Sequence, residues 1–168
     1  MFFGEVTLAA PERLNASLFE RFIELRDSDR VRRSHYFGDR FENIYINEAD
    51  IPDIAMVLNA VKLQAGQLLG IPVDTLKAGF WFNAMDAGQR TTLHHHDEND
   101  ELLSAVYYIR VPENSGNLIL HEDGRKILIQ PEEGKLVMFA PAMLHEVTAN
   151  LGPGLRLSVG MNVGPADD

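Results

Sequence analysis

From Leu76 onward the apolar residues of this chain recur with period two, in short runs separated by turn residues. The runs cover residues 76–85, 91–96, 103–110, 116–121, 125–130, 135–140, 145–148 and 155–163. Glu122-Asp123-Gly124-Arg125 carries the Asp-Gly signal of a tight hairpin, and Asn150-Leu151-Gly152-Pro153-Gly154 reads as a second turn. Many short strands at even spacing specify an antiparallel sandwich or barrel. A barrel of roughly eight strands has an interior wide enough for one small ligand.

The first 75 residues read differently. A short strand is expected over residues 4–10. Ser17-Leu18-Phe19-Glu20 has the form of a capping box, with Leu18, Phe19, Phe22, Ile23 and Leu25 giving an apolar stripe to about Asp27. Residues 28–50 are polar and irregular, apart from a short strand at 43–46. Pro52 and Asp53 suit the first turn of a second helix. Ile54, Val57, Leu58, Val61, Ala65 and Leu68 repeat at helical spacing until Gly70 and Pro72 stop it. The expectation is a single domain, residues 1–168, in which 1–75 form helical and strand support and 76–165 form the barrel.

Composition narrows the chemistry. There is no cysteine, so any metal sits on nitrogen and oxygen ligands. The net charge of -10 argues against nucleic-acid binding, and Arg30, Arg32 and Arg33 lie among acids as a solvated patch. Met1-Phe2-Phe3-Gly4-Glu5 lacks the basic region and apolar run of a secretory leader, and no apolar run reaches membrane-span length. The expected location is cytoplasmic, without membrane or nucleic-acid partners.

Thr91-Thr92-Leu93-His94-His95-His96-Asp97 holds three of the six histidines beside a carboxylate, and His145 follows downstream. Histidines clustered on strands are how a β-scaffold builds a metal site. Strand residues i and i+2 share a face, so His94 and His96 point one way, His95 and Asp97 the other. Either pair could join His145 on one metal. His95, Asp97 and His145 would make the two-histidine, one-carboxylate triad of non-haem Fe(II) oxygenases. His94, His96 and His145 would make a three-histidine site with one negative charge fewer. Arg156 and Ser158 share a face of an otherwise apolar strand. An inward guanidinium there needs an anion, and with the hydroxyl it forms a carboxylate grip. Glu101 and Glu146 read as solvated acids, His35 and His121 as surface residues.

Trp81-x-Asn83, Gly88, His94-x-His96, the stretch 103–109, the stretch 134–139, Leu144-His145-Glu146-Val147 and Arg156-x-Ser158-x-x-x-Asn162 together resemble the 2-oxoglutarate and Fe(II)-dependent oxygenase superfamily. Within it they are similar to a small bacterial and phage group with the pattern W-x-N, a glycine, H-x-H, S-G-V-Y-Y, a distal H and R-x-S. The resemblance covers about residues 79–163. It implies a mainly β fold, a double-stranded β-helix (a jelly-roll, cupin-like barrel) with the N-terminal helices packed outside. It implies Fe(II) as cofactor, with 2-oxoglutarate and O2 as co-substrates. Oxidation of a small-molecule or peptide substrate would accompany conversion of 2-oxoglutarate to succinate and CO2. Spacing from Trp81 and Gly88 places the group's H-x-H on His94 and His96. Carried over by position, Arg156 and Ser158 would hold the distal carboxylate of 2-oxoglutarate. Tyr108 could bond the same carboxylate, and Asn83 would face the cavity beside it. Trp81 and Tyr107 are expected to pack in the core.

Two rival readings use the same barrel. His94-x-His96 with Glu101, and residues 134–150, partly resemble the cupin motifs, which would give a metal-dependent dioxygenase or isomerase without 2-oxoglutarate. A non-enzymatic small-molecule-binding barrel is the other. The substrate is not legible, and an edge-to-edge or helix-mediated homodimer is the only assembly the sequence suggests.

Overall fold

The computed structural model describes residues 1–96 and 100–167. In chain order it contains β1 (Phe2–Thr7), α1 (Glu12–Leu25), β2 (Val31–Phe37), β3 (Arg40–Ile46), α2 (Ile54–Leu69), β4 (Leu76–Met85) and β5 (Thr91–His94). There follow β6 (Leu103–Arg110), β7 (Leu118–Glu122), β8 (Arg125–Ile129), β9 (Lys135–Phe139), β10 (Leu144–Val147) and β11 (Arg156–Pro165). Seven strands form one antiparallel sheet in the order β1-β9-β6-β11-β4-β3-β2, and four form a second in the order β5-β10-β7-β8. This is the double-stranded β-helix, mainly β, with both helices on the outer face of the larger sheet.

Strand alternation divides the apolar residues between two cores. On the outer face, Phe82, Tyr107, Ile109, Leu157, Val159, Met161 and Val163 meet Leu14, Leu18, Phe22 and Leu25 of α1 and Ile54, Val57, Val61 and Ala65 of α2. Those helical positions repeat at three and four, which puts each set on one stripe. Phe22 and Phe82 are both fully buried with ring centroids 5.3 Å apart, and each such side chain contributes about 2–3 kcal/mol by leaving water. Between the sheets a smaller core holds Met85, Tyr108, Leu118, Leu120, Val137, Phe139 and Val147. Tyr108, Leu118, Phe139 and Val147 of this core also line a cavity between the sheets.

The N-terminal region does more than support the barrel. It supplies β1 to one edge of the large sheet and the β2–β3 pair to the other. Residues 28–50 are not irregular, because Gly38 (φ 58°) and Asp39 (φ 65°) make a two-residue turn closing Phe37 against Arg40. Positive φ at both central positions matches the twist of a hairpin. The expected Asp-Gly hairpin forms in the same way, with Asp123 at φ 49° and Gly124 at φ 76°. The first helix also begins earlier than the Ser17 capping box implies. Pro11 stands at its N-cap and accepts the Asn15 N–H at 2.8 Å, so Ser17 lies mid-helix. Its hydroxyl instead donates to the Asp53 carboxylate at the start of α2. Gly70, left-handed at φ 67°, ends α2 as expected.

Candidate functional site

His94 closes β5 and is paired in register with His145 of β10. His96 lies two residues further on, beyond the strand, its backbone N–H held by the Pro141 carbonyl at 2.8 Å. One ring nitrogen from each of His94, His96 and His145 comes within 4.8 Å of the other two, which is the spacing of a metal-binding group. The rings contact one another pairwise, with centroids 4.1 Å (His94 to His145), 4.9 Å (His94 to His96) and 5.0 Å (His96 to His145) apart. Thr92 O lies 2.6 Å from His94 Nδ1, and Met143 O lies 3.0 Å from His145 Nδ1. A carbonyl can only accept, so both Nδ1 atoms carry the proton and both Nε2 lone pairs are free. His95 is exposed at the rim of the same cavity. Its sequence partner Asp97 lies outside the described residues.

The three rings open into a cavity of about 590 Å³ between the sheets. Its far wall is a row across three adjacent strands of the large sheet, with Ser158 of β11 in register between Asn83 of β4 and Tyr108 of β6. Arg156 enters the same wall and is 1% exposed. Its Nε and Nη2 and the Tyr108 hydroxyl are buried without a hydrogen-bond partner among the described residues. The guanidinium lies 5.3 Å from the Tyr108 ring centroid. Burial lowers the pKa of Arg156 and raises that of Tyr108, so Tyr108 stays a protonated donor at neutral pH. Tyr107 points the opposite way, into the helix-facing core, with its hydroxyl on Asn15 Oδ1 at 2.6 Å.

The family model of the 2OG-Fe(II) oxygenase superfamily matches residues 80–164, about half of the chain. The chain belongs to that superfamily. Its members are oxidoreductases that use Fe(II) and 2-oxoglutarate. The fold is similar to that of a Pseudomonas putida prolyl-4-hydroxylase (20% identity, 98% of this chain and 92% of that one, TM-score 0.73). It is also similar to SnoK, a non-heme alpha-ketoglutarate-dependent carbocyclase from nogalamycin biosynthesis (13% identity, 97% and 79%, TM-score 0.76). A third similar structure is the epimerase SnoN in complex with Fe3+, alpha-ketoglutarate and nogalamycin RO (16% identity, 96% and 78%, TM-score 0.74). No curated protein matches the chain by sequence.

The residues present fit the superfamily's cofactors. Three imidazoles, each with a ring nitrogen within 4.8 Å of the other two, form a donor set for a divalent cation, and in His94 and His145 the nitrogen left to bind is Nε2. A buried cation with two unpaired N–H groups is the counterpart of a carboxylate. Burial pushes His96 down to about 4 and His145 to about 2, with the neighbouring histidines adding to it, and it also lowers His94. Protons therefore compete little for the site at neutral pH. A pH effect follows for the metal-free protein. The folded-state values lie below the ordinary 6.5, so the unfolded chain binds more protons between the two. The stabilising contribution is complete above pH 6.5 and is lost as pH falls. Each pH unit below 6.5 removes at most about 1.4 kcal/mol per histidine until the folded-state value is reached. Urea unfolding between pH 7.5 and 5 should show this loss, and a flat profile would contradict it.

Trp81, the single tryptophan, lies between the histidines and β11. Its ring centroid is 4.9 Å from that of His96, and its indole rests flat on Gly160. A Cβ at Gly160 would come within 2.4–2.6 Å of the indole. Gly160→Ala should displace Trp81, cost about 1–3 kcal/mol by overpacking and shift the protein's tryptophan emission. An unchanged spectrum and melting temperature would refute the packing.

The sequence reading missed the wall supplied by β3. Arg40 and Glu42 are buried, and their side chains lie 3.8 Å apart. Arg40 donates to Asn83 Oδ1 at 3.0 Å, Thr91 Oγ1 at 2.9 Å and the carbonyls of Ala84 and Arg90. Glu42 accepts from the Thr92 N–H at 2.8 Å and the Thr92 hydroxyl at 2.7 Å. The available signal was the Gly38-Asp39 turn followed by alternation, which sets Arg40 and Glu42 on the face of Ile44 and Ile46. His35, read as surface, is exposed but lines the cavity mouth. Glu146 faces away from His145's side of β10 and pairs with His121 at 3.1 Å.

Proposed function

We propose that this protein is a 2-oxoglutarate- and Fe(II)-dependent dioxygenase of the hydroxylase type, acting on a small molecule or a peptide. His94, His96 and His145 would hold the metal. Arg156 and Tyr108 would hold the distal carboxylate of 2-oxoglutarate, with Ser158 and Asn83 beside them. The observation that carries this reading is the buried guanidinium of Arg156, whose Nε and Nη2 have no hydrogen-bond partner among the described residues, in the wall of the cavity that the three histidines also line. The cupin-type reading without 2-oxoglutarate leaves Arg156 and Ser158 unexplained.

Fe(II) and 2-oxoglutarate, held by these residues, would supply with O2 the chemistry for oxidising a substrate C–H bond. The chain's own residues prepare that chemistry. Two backbone carbonyls set the tautomers of His94 and His145. Phe139, its ring 4.8 Å from that of His145, packs an apolar face against this imidazole and would keep water from it. Arg156 gives a planar, two-pronged donor suited to a carboxylate. The 590 Å³ cavity is larger than the co-substrate, and its remaining volume opens toward β2 and β3, where a substrate would sit.

Anaerobic addition of Fe(II) and 2-oxoglutarate should produce the visible charge-transfer band of the chelate. Metal binding without that band would favour the cupin-type reading, and absence of metal binding would end both. His94→Ala and His95→Ala separate the two ligand pairs. His94→Ala should lose the band, whereas His95→Ala should keep it. The opposite pattern would assign the site to His95, Asp97 and His145.

A further inference from the structure

We infer that Glu42 is a positioning residue for His94, acting through Thr92, and that β3 therefore controls the metal affinity of the site. The inference rests on the reading that His94, His96 and His145 hold the metal. Glu42 is the only buried acid among the described residues. Its two oxygens take both donors of Thr92, Oε2 the backbone N–H at 2.8 Å and Oε1 the hydroxyl at 2.7 Å. Thr92 is thereby held on two bonds, and its carbonyl accepts the Nδ1 proton of His94 at 2.6 Å. A carboxylate is suited to this task because it only accepts, so it cannot turn a donor toward Thr92. Arg40 compensates the buried charge from 3.8 Å.

The consequence is a fixed tautomer and a fixed ring. With the Nδ1 proton committed to Thr92 O, His94 presents only Nε2 toward His96 and His145. Nothing in the family-model match assigns this role, because β3 lies outside residues 80–164. His145 obtains the equivalent bond from Met143 O at 3.0 Å, with no carboxylate bonded to Met143 among the described residues. The two ligands are therefore supported differently, and removal of Glu42 should affect His94 alone.

The test uses Mn(II) as the probe, measured by calorimetry on the whole protein without 2-oxoglutarate, with wild type, Glu42→Gln, Glu42→Ala and His94→Ala. Loss of an outer-shell partner of a metal ligand characteristically weakens affinity by about 10–100-fold. Glu42→Ala should fall in that range. Glu42→Gln, which keeps one acceptor and turns an amide toward the other Thr92 donor, should fall between it and wild type. Long-range 1H–15N spectra of the metal-free protein should show His94 as the Nδ1–H tautomer in wild type and as a mixture in Glu42→Ala, with His145 unchanged. A merely structural role would leave that tautomer alone. If Glu42→Ala fails to fold, Glu42→Gln decides. Wild-type affinity in the folded Glu42 variants, with affinity lost in His94→Ala, overturns the inference alone. Wild-type affinity in His94→Ala overturns the ligand reading on which it rests.

Discussion

His145→Ala should abolish Fe(II) binding and 2-oxoglutarate-dependent succinate release. His145 is 3% exposed, sits in register with His94 across the small sheet and carries its proton on Nδ1, toward Met143 O. Its Nε2 has no hydrogen-bond partner among the described residues. On the proposal that His94, His96 and His145 hold the metal, removing one of the three should weaken binding by on the order of 10³-fold, about 4 kcal/mol. Turnover should fall below detection. The variant should still fold, because the neighbouring apolar residues Leu118, Leu120, Phe139 and Val147 remain in place. It should also lose part of the acid sensitivity of the metal-free protein, since the imidazole held at about 2 is gone. Calorimetry with Mn(II) and a succinate assay check both parts. Retained turnover would mean that His145 is not a ligand.

Arg156→Ala should separate stability from function. In the metal-free protein the guanidinium is a buried cation with Nε and Nη2 unpaired among the described residues, an arrangement that costs free energy. Its removal should leave the melting temperature unchanged or raise it, apart from the cavity created. Binding should respond in the opposite sense. Losing one side of a buried charge pair costs about 2–5 kcal/mol, so affinity for 2-oxoglutarate should fall by roughly 30- to 5,000-fold. The charge-transfer band should disappear while Mn(II) binding persists. Arg156→Lys should recover only part of the affinity, since an ammonium lacks the planar fork. A wild-type band in Arg156→Ala would place the co-substrate elsewhere.

Much of the barrel was legible because alternation survives in the sequence. Residues 76–85 and 103–110 read as strands with the bounds they have, and Asp123-Gly124 reads as the hairpin turn that it forms. The hairpin at Gly38-Asp39 was not legible, because its strands carry Arg32, Arg33, Arg40, Glu42 and Asn43 where a core strand would be apolar. Of these, Arg32 and Arg33 are exposed on β2, Glu42 and Asn43 line the cavity, and Arg40 is held by Asn83, Thr91 and Glu42 beside it. The Ser17 capping box was misleading for a related reason. The same Ser-x-x-Glu spacing occurs mid-helix, where its hydroxyl serves a tertiary contact with Asp53.

By itself the sequence determined the β architecture, the absence of thiolate ligands, the family and the short set of residues from which a site can be drawn. Those are properties of period, composition and spacing along one chain. Alternation could only divide His94, His95, His96 and Asp97 into two exclusive pairs. Bringing His94 and His96 onto His145 required β10 to pair with β5 in one register, and burying Arg156, with Nε and Nη2 unpaired among the described residues, required β4 and β6 to flank β11. The tertiary structure alone decided that Glu42 stands behind Thr92. The physical reason is that a hydrogen bond reaches about 3 Å, whereas these residues are 50 positions apart, so only folding the β2–β3 hairpin against the barrel brings them together.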